Sequence, residues 1–260
     1  MRLRLQRAPR RRLAALASLS VLSLLFFTLQ ANAQGKRRAP AVGRVAVVVD
    51  ERLSALREGP SLSANVSRRI GRGRVVSVAG ARESADGVTF YRVFVTRRTG
   101  GWLQAEAVVS PARAGDDARL LRLTRGSEEF DRIERARIFL ETFPRSTLRP
   151  AALLLLAEAA EEAATRLTRD ASRRLDAREM DAGGAPLKSY YLNFNGLDRY
   201  RRQGVAFIFD ASTKQFRYDG AAWRELLRRH PRSPEAEKAR ARLAAANEMD
   251  KRRDEWRVTN

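Results

Sequence analysis

The chain has 260 residues, 44% hydrophobic and 31% charged, a balance that suits a buried core and excludes general disorder. It contains no cysteine and one histidine, which excludes a disulfide framework, a thiolate nucleophile, a lipid-attachment cysteine and cysteine- or paired-histidine metal sites. The formal net charge is +21, of which six arginines at the N-terminus supply six and the rest of the chain +15.

Residues 1–33 read as a secretory signal peptide. Arg2, Arg4, Arg7, Arg10, Arg11 and Arg12 precede an uncharged apolar run from Leu13 to Leu29, and Ala31 and Ala33 present small residues to a peptidase, so cleavage is expected between Ala33 and Gln34. The run of 17 residues includes Ser18, Ser20, Ser23 and Thr28, near the lower limit for a spanning helix, which leaves an uncleaved inner-membrane anchor as the alternative. Both readings export the remainder, to the periplasm or beyond, and with cleavage the membrane contact is only transient, through this segment. Residues 34–43 are a polar linker with Gly35, Pro40 and Gly43.

From 44 to 110 the expected elements are β-strands: short β-branched and aromatic runs at Val45 to Val49, Arg74 to Val78, Val88 to Val95 and Trp102 to Val109, separated by turn signals. Alternation in the third run points Tyr91, Val93 and Val95 inward and leaves Phe90, Arg92, Phe94 and Thr96 on a mixed face. The order Ala55-Leu56-Arg57, Gly59-Pro60-Ser61, Val66, Ile70, Gly73, Val76, Val78, Gly80, Phe90-Tyr91, Val93, Val95 and Gly101-Trp102 resembles the bacterial SH3-like (SH3b) domain. That resemblance covers about a quarter of the chain and implies an all-β barrel that binds a peptide or a peptidoglycan stem through an aromatic groove, with Phe90, Tyr91 and Trp102 as the ligand-binding candidates. Their other reading is barrel core. An insert at Arg82 to Val88, and Phe90-Tyr91 where relatives carry glycine and tryptophan, depart from the pattern.

Pro111 to Asp117 marks a boundary, and 116–255 reads as helical. Phe130, Ile133, Ala136, Leu140 and Phe143 form one stripe ended by Pro144, and Leu153, Leu156, Ala160, Ala164, Leu167, Ala171 and Leu175 form the next. Phe143-Pro144-Arg145-Ser146 is echoed 87 residues later by His230-Pro231-Arg232-Ser233, where Ser233 is the expected N-cap of the following helix. Helix, aromatic-Pro-x-Ser turn and alanine-rich helix resemble the tetratricopeptide (TPR)-like hairpins of envelope assembly proteins, although the spacing is not one repeat of about 34 residues. Between the copies, about 180–219 reads as an insert: an aromatic-rich loop from Met180 to Asn195, then a β-hairpin from Val205 to Phe209 and Gln215 to Tyr218. Tyr190, Tyr191 and Phe194 are the partner-binding candidates there, with Tyr200 beside them; their other reading is a lid on the helical core.

The acid pairs Asp116-Asp117, Glu128-Glu129 and Glu161-Glu162 read as solvated surface, and no nucleophile elbow, phosphate-cradling glycine loop or partner for His230 as a general base is present. The expected class is therefore a multidomain protein, an all-β SH3-like barrel followed by a mainly α-helical TPR-like domain, acting as a non-enzymatic cell-envelope adaptor without cofactor or metal. Its partner would be a peptide, peptidoglycan or an envelope protein. Alternatives are an accessory subunit of a cell-wall hydrolase and a basic polyanion-binding protein. Nucleic acid is not the expected partner: only five of the 51 basic residues are lysine, as a GC-rich genome produces unselected, and no basic run outside the leader exceeds three residues.

Overall fold

The computed structural model describes residues 44–259, with side chains over 45–248 and at 251. The leader and the linker, 1–43, lie outside the described residues. Seven short strands form first: β1 (Arg44–Val48), β2 (Ala55–Arg57), β3 (Val66–Arg69), β4 (Val75–Glu83), β5 (Thr89–Phe94), β6 (Gly100–Gln104) and β7 (Val108–Val109). All pair antiparallel in one sheet of order β3-β2-β6-β5-β4-β1-β7. The four expected runs are all there; β2 and β3 are too short and arginine-rich to stand out by alternation. A 3-10 turn at Ala105–Ala107 splits the last run into β6 and β7, which pair with different neighbours.

The inward face follows the expected parity. Tyr91 and Val93 are buried with Val48, Leu56, Val76, Val78 and Leu103 in one apolar cluster. At Gly101 a Cβ would stand 2.7 Å from Leu56 Cγ and 2.8 Å from the Arg57 carbonyl oxygen, so only glycine lets β6 pass β2 this closely. Gly73 has the expected positive φ of 78°. Gly80 does not; it sits at a bulge in β4.

The helical region comprises α1 (Asp116–Arg125), α2 (Glu129–Thr142), α3 (Arg149–Arg174), α4 (Ala177–Gly183), α5 (Leu187–Leu192), α6 (Asp198–Arg202), α7 (Ala221–Arg229) and α8 (Glu235–Thr259), with a hairpin of β8 (Phe207–Asp210) and β9 (Gln215–Tyr218) ahead of α7. The α3 stripe from Leu153 to Ala171 is buried as its periodicity requires, joined by Ala152, Ala157, Ala159 and Ala163. Small side chains on most of its circumference let α2, α7, α8 and β9 pack around it.

The repeated tetrapeptide makes the same turn twice. Phe143 N–H donates to Phe139 O at 2.9 Å and His230 N–H to Leu226 O at 2.8 Å; Ser146 N–H then donates to Phe143 O, and Ser233 N–H to His230 O. The helical hairpins α2/α3 and α7/α8 are thus copies, adjacent because α3 touches both α7 and α8. One expectation fails: Ser146 Oγ accepts from Leu148 N–H, but Ser233 Oγ is buried without a partner and does not cap α8.

Sheet and helices belong to one compact unit, joined by charged side chains that reach across. Arg135 donates from Nε to Val49 O at 3.1 Å, and Arg72 meets Asp131 at 2.9 Å and Glu134 at 2.8 Å. Asp116, expected on the surface, is buried; it accepts from Ser110 N–H at 2.8 Å and lies within 3.5 Å of Arg113 and Arg119. Val47 and Val109 of the sheet, with Val49 just after β1, belong to the apolar core of the helices.

Candidate functional site

Because β-strand side chains alternate, burying Tyr91 and Val93 turns Arg92 and Phe94 to the other face. Register then lines up a row across five strands: Gly80, Arg92, Trp102, Arg57 and Val66. A second row holds Val45, Ser77, Phe94 and Gly100, and a third Arg82, Phe90 and Gln104. Phe94 lies over Gly100, where a Cβ would come within 2.8 Å of its ring.

Rings and guanidinium groups interleave on this face. The Arg92 guanidinium carbon is 5.8 Å from the Phe94 ring centroid and 5.8 Å from that of Trp102, and Arg82 stands 6.0 Å from Trp102 on its side. Each such contact contributes about 0.5–1 kcal/mol at an exposed site, and a guanidinium stacked on a ring keeps its N–H donors available at its edge. None of Arg57, Arg82 and Arg92 forms an ion pair among the described residues. Val45, Val75 and Phe94, exposed by 55%, 53% and 39%, continue the surface with apolar area. Arg57 Nη1 donates to the Ala64 carbonyl at 2.7 Å, so chemically the face offers flat apolar contact beside the Arg82 and Arg92 forks, which can take carboxylates.

The structure separates the candidate ligand residues. Trp102 is half-buried on this open face. Phe90 and Tyr91 are fully covered, which corrects their expected role as a binding platform. Tyr91 points into the core and its hydroxyl accepts from Arg113 Nη1 at 3.0 Å; burial raises its phenol above the ordinary value against the pull of that guanidinium. Arg57, Arg82, Arg92 and Phe94 were missed as candidates, although the even positions of the β5 run carried the signal for the last two.

The insert candidates take the lid role. Tyr191 and Phe194 are buried, Tyr191 stacking on Phe209 with centroids 4.3 Å apart and also meeting Phe216, and Tyr200 packs edge-on against Phe130 and Phe207. A partner surface cannot be built from side chains the core already covers. Tyr190 is half-buried and bonds the Met180 carbonyl. The segment expected as a loop folds into α4 and α5, while the expected hairpin is present as β8 and β9.

His230 is half-buried, and its Nε2 has no partner to orient it as a base. Among the described residues no group of three or more histidines or carboxylates is placed to hold a metal ion, and no helix is long and apolar enough to cross a membrane. Compared with protein-family models, curated proteins and solved structures, the chain matches none.

Proposed function

We propose that the chain is an exported, non-enzymatic adaptor of the cell envelope, its sheet an SH3b-like module that holds an extended, carboxylate-bearing peptide such as a peptidoglycan stem. The helical copies α2/α3 and α7/α8, read as TPR-like, serve a protein partner. The leader sequence supports export. The observation that carries the reading is the Phe94-Arg92-Trp102-Arg82 ladder: rings give the peptide a flat apolar bed, and guanidinium groups without internal carboxylates leave charge to be met by a ligand.

Sedimentation of the protein with purified cell-wall sacculi, and titration with a carboxylate-rich stem peptide, test it. Binding is expected to fall at least tenfold in Trp102→Ala and Arg92→Ala with the fold retained. Wild-type binding in both variants, or no enrichment on sacculi together with no peptide binding, overturns it.

A further inference from the structure

Several arginines of the helical region face carboxylates: Arg132 meets Glu162, Arg149 meets Glu225, and Arg166 meets Glu129 and Glu162. One end of the sheet is different. There Arg68, Arg69 and Arg74 line a shallow, open surface cavity of about 540 Å³ with Thr96 and Thr99, and no aspartate or glutamate contributes to its wall. None of the three forms an ion pair among the described residues, nor do Arg97 and Arg98, exposed at the tip of the turn between those threonines.

Two of the nearby carboxylates pair with an arginine, and the third, Glu51 beside Gly71, bonds a backbone amide. Glu51 accepts the Arg72 amide at 2.8 Å, and Arg72, the one paired arginine of the wall, is held by Asp131 and Glu134. Arg69 gives a single N–H to Arg52 O at 3.3 Å, so the rest of its fork stays available. Thr96 Oγ accepts from the Arg98 and Thr99 amides, which leaves its hydroxyl hydrogen to donate toward a ligand.

The charged side chains of the wall are thus all guanidinium groups, with two threonine hydroxyls beside them and no carboxylate in the lining. It carries no aromatic ring, so it has no platform for stacking a base, and its apolar members Ile70 and Val95 are covered or half-covered. Several positive charges lining one depression without internal carboxylates suit a ligand with several charges at short spacing, which linked phosphate groups supply and a peptide with one carboxylate does not. We propose that this cavity binds a chain of linked phosphates, either inorganic polyphosphate or a phosphodiester polymer. It shares no residue with the Arg92–Trp102 row.

The test titrates the full chain with inorganic tripolyphosphate, a glycerol phosphate polymer and poly-glutamate, by calorimetry at low and moderate salt. A phosphate ligand is expected to bind with affinity that falls by about two orders of magnitude between about 50 and 200 mM salt when some four charges are neutralised. Arg68→Glu with Arg74→Glu should weaken it at least tenfold, as should Arg97→Glu with Arg98→Glu on the exposed turn, whereas Trp102→Ala should leave it within twofold. Tighter binding of tripolyphosphate assigns the inorganic source, and tighter binding of the polymer the phosphodiester one. Poly-glutamate binding as tightly as both phosphates, no phosphate binding, or unchanged affinity in folded charge-reversed proteins overturns the proposal. Loss of sacculus binding in Trp102→Ala leaves this outcome unaffected, so the two readings fail separately.

Discussion

Arg135 Nε on α2 donates to the carbonyl oxygen of Val49, 86 residues away in the chain, at 3.1 Å. The same guanidinium donates through Nη1 to Ser127 Oγ and lies 3.7 Å from Asp131. Burial lowers its pKa, with nearby Arg72 adding in the same direction, yet an arginine stays charged, so its partners must remain in place. Arg135→Ala takes the donor from the buried Val49 carbonyl and from Ser127 Oγ, while Asp131 keeps Arg72, and should cost about 1–3 kcal/mol. It should also loosen the sheet from the helices. Denaturation followed at Trp102 in a Trp223→Phe, Trp256→Phe protein and at Trp223 in a Trp102→Phe, Trp256→Phe protein checks this: with Arg135 present the two transitions should coincide, with Arg135→Ala they should separate, and coincident transitions in the Arg135→Ala proteins would sink the idea.

The Arg72 cluster predicts an acid dependence with two opposed parts. The Arg72 hydrogen bond outweighs burial and holds the Asp131 carboxyl below its ordinary value, so its stabilisation is present above about pH 4 and fades as pH falls through the lowered value. Glu134 goes the other way: burial outweighs Arg72 and raises its carboxyl, so folding is relieved as pH falls through that raised value. Asp131→Asn should cost less than about 1 kcal/mol at neutral pH, because the carboxylate is half exposed, and should flatten the acid limb. Glu134→Gln should be neutral or slightly stabilising at pH 7. Melting temperatures from pH 3 to 7 decide it, and matching profiles for both variants would contradict the assignment.

Two glycines of the sheet should respond unequally to alanine. At Gly101 the added Cβ meets the Arg57 carbonyl oxygen at 2.8 Å, and that backbone is fixed by pairing; at Gly87 it meets nothing within 4 Å and only the φ of 72° resists. Gly101→Ala should cost about 2–3 kcal/mol as overpacking, Gly87→Ala about 1 kcal/mol. Chemical denaturation of the two proteins gives the comparison, and equal losses would mean that β6 can shift away from β2.

Much of this fold can be read from periodicity, because burial imposes it. The Tyr91/Val93 face, the α3 stripe from Leu153 to Ala171, the β8/β9 hairpin and the repeated Pro-x-Ser turn all follow from spacing alone. What periodicity misses are residues whose environment is set by distant chain. Arg135 and Asp116 look like surface charges until Val49 and Ser110 are folded against them, and Tyr191 looks like a free aromatic until Phe209 stacks on it. The Arg92–Trp102 row has the same character: alternation places each residue outward, but only the register of β5 on β6 puts the guanidinium over the ring.

The repeated turn carries the last prediction. Phe143 is buried at its first occurrence, and His230 takes the equivalent place at the second, with the same hydrogen bond to the residue four back and with Nε2 buried and unpaired. A buried nitrogen that finds no partner is a net cost of about 1–3 kcal/mol, and the sister turn already seats a phenyl ring in this backbone geometry. His230→Phe should therefore stabilise the protein, by about 1 kcal/mol once the loss from imperfect packing in the half-exposed second site is included. The reciprocal Phe143→His buries a polar ring in the tighter first site and should destabilise it by about 2–3 kcal/mol. Urea titrations of both variants measure the two signs. A destabilised His230→Phe would mean that the histidine has a partner in solution and is not a polar residue tolerated in an aromatic slot.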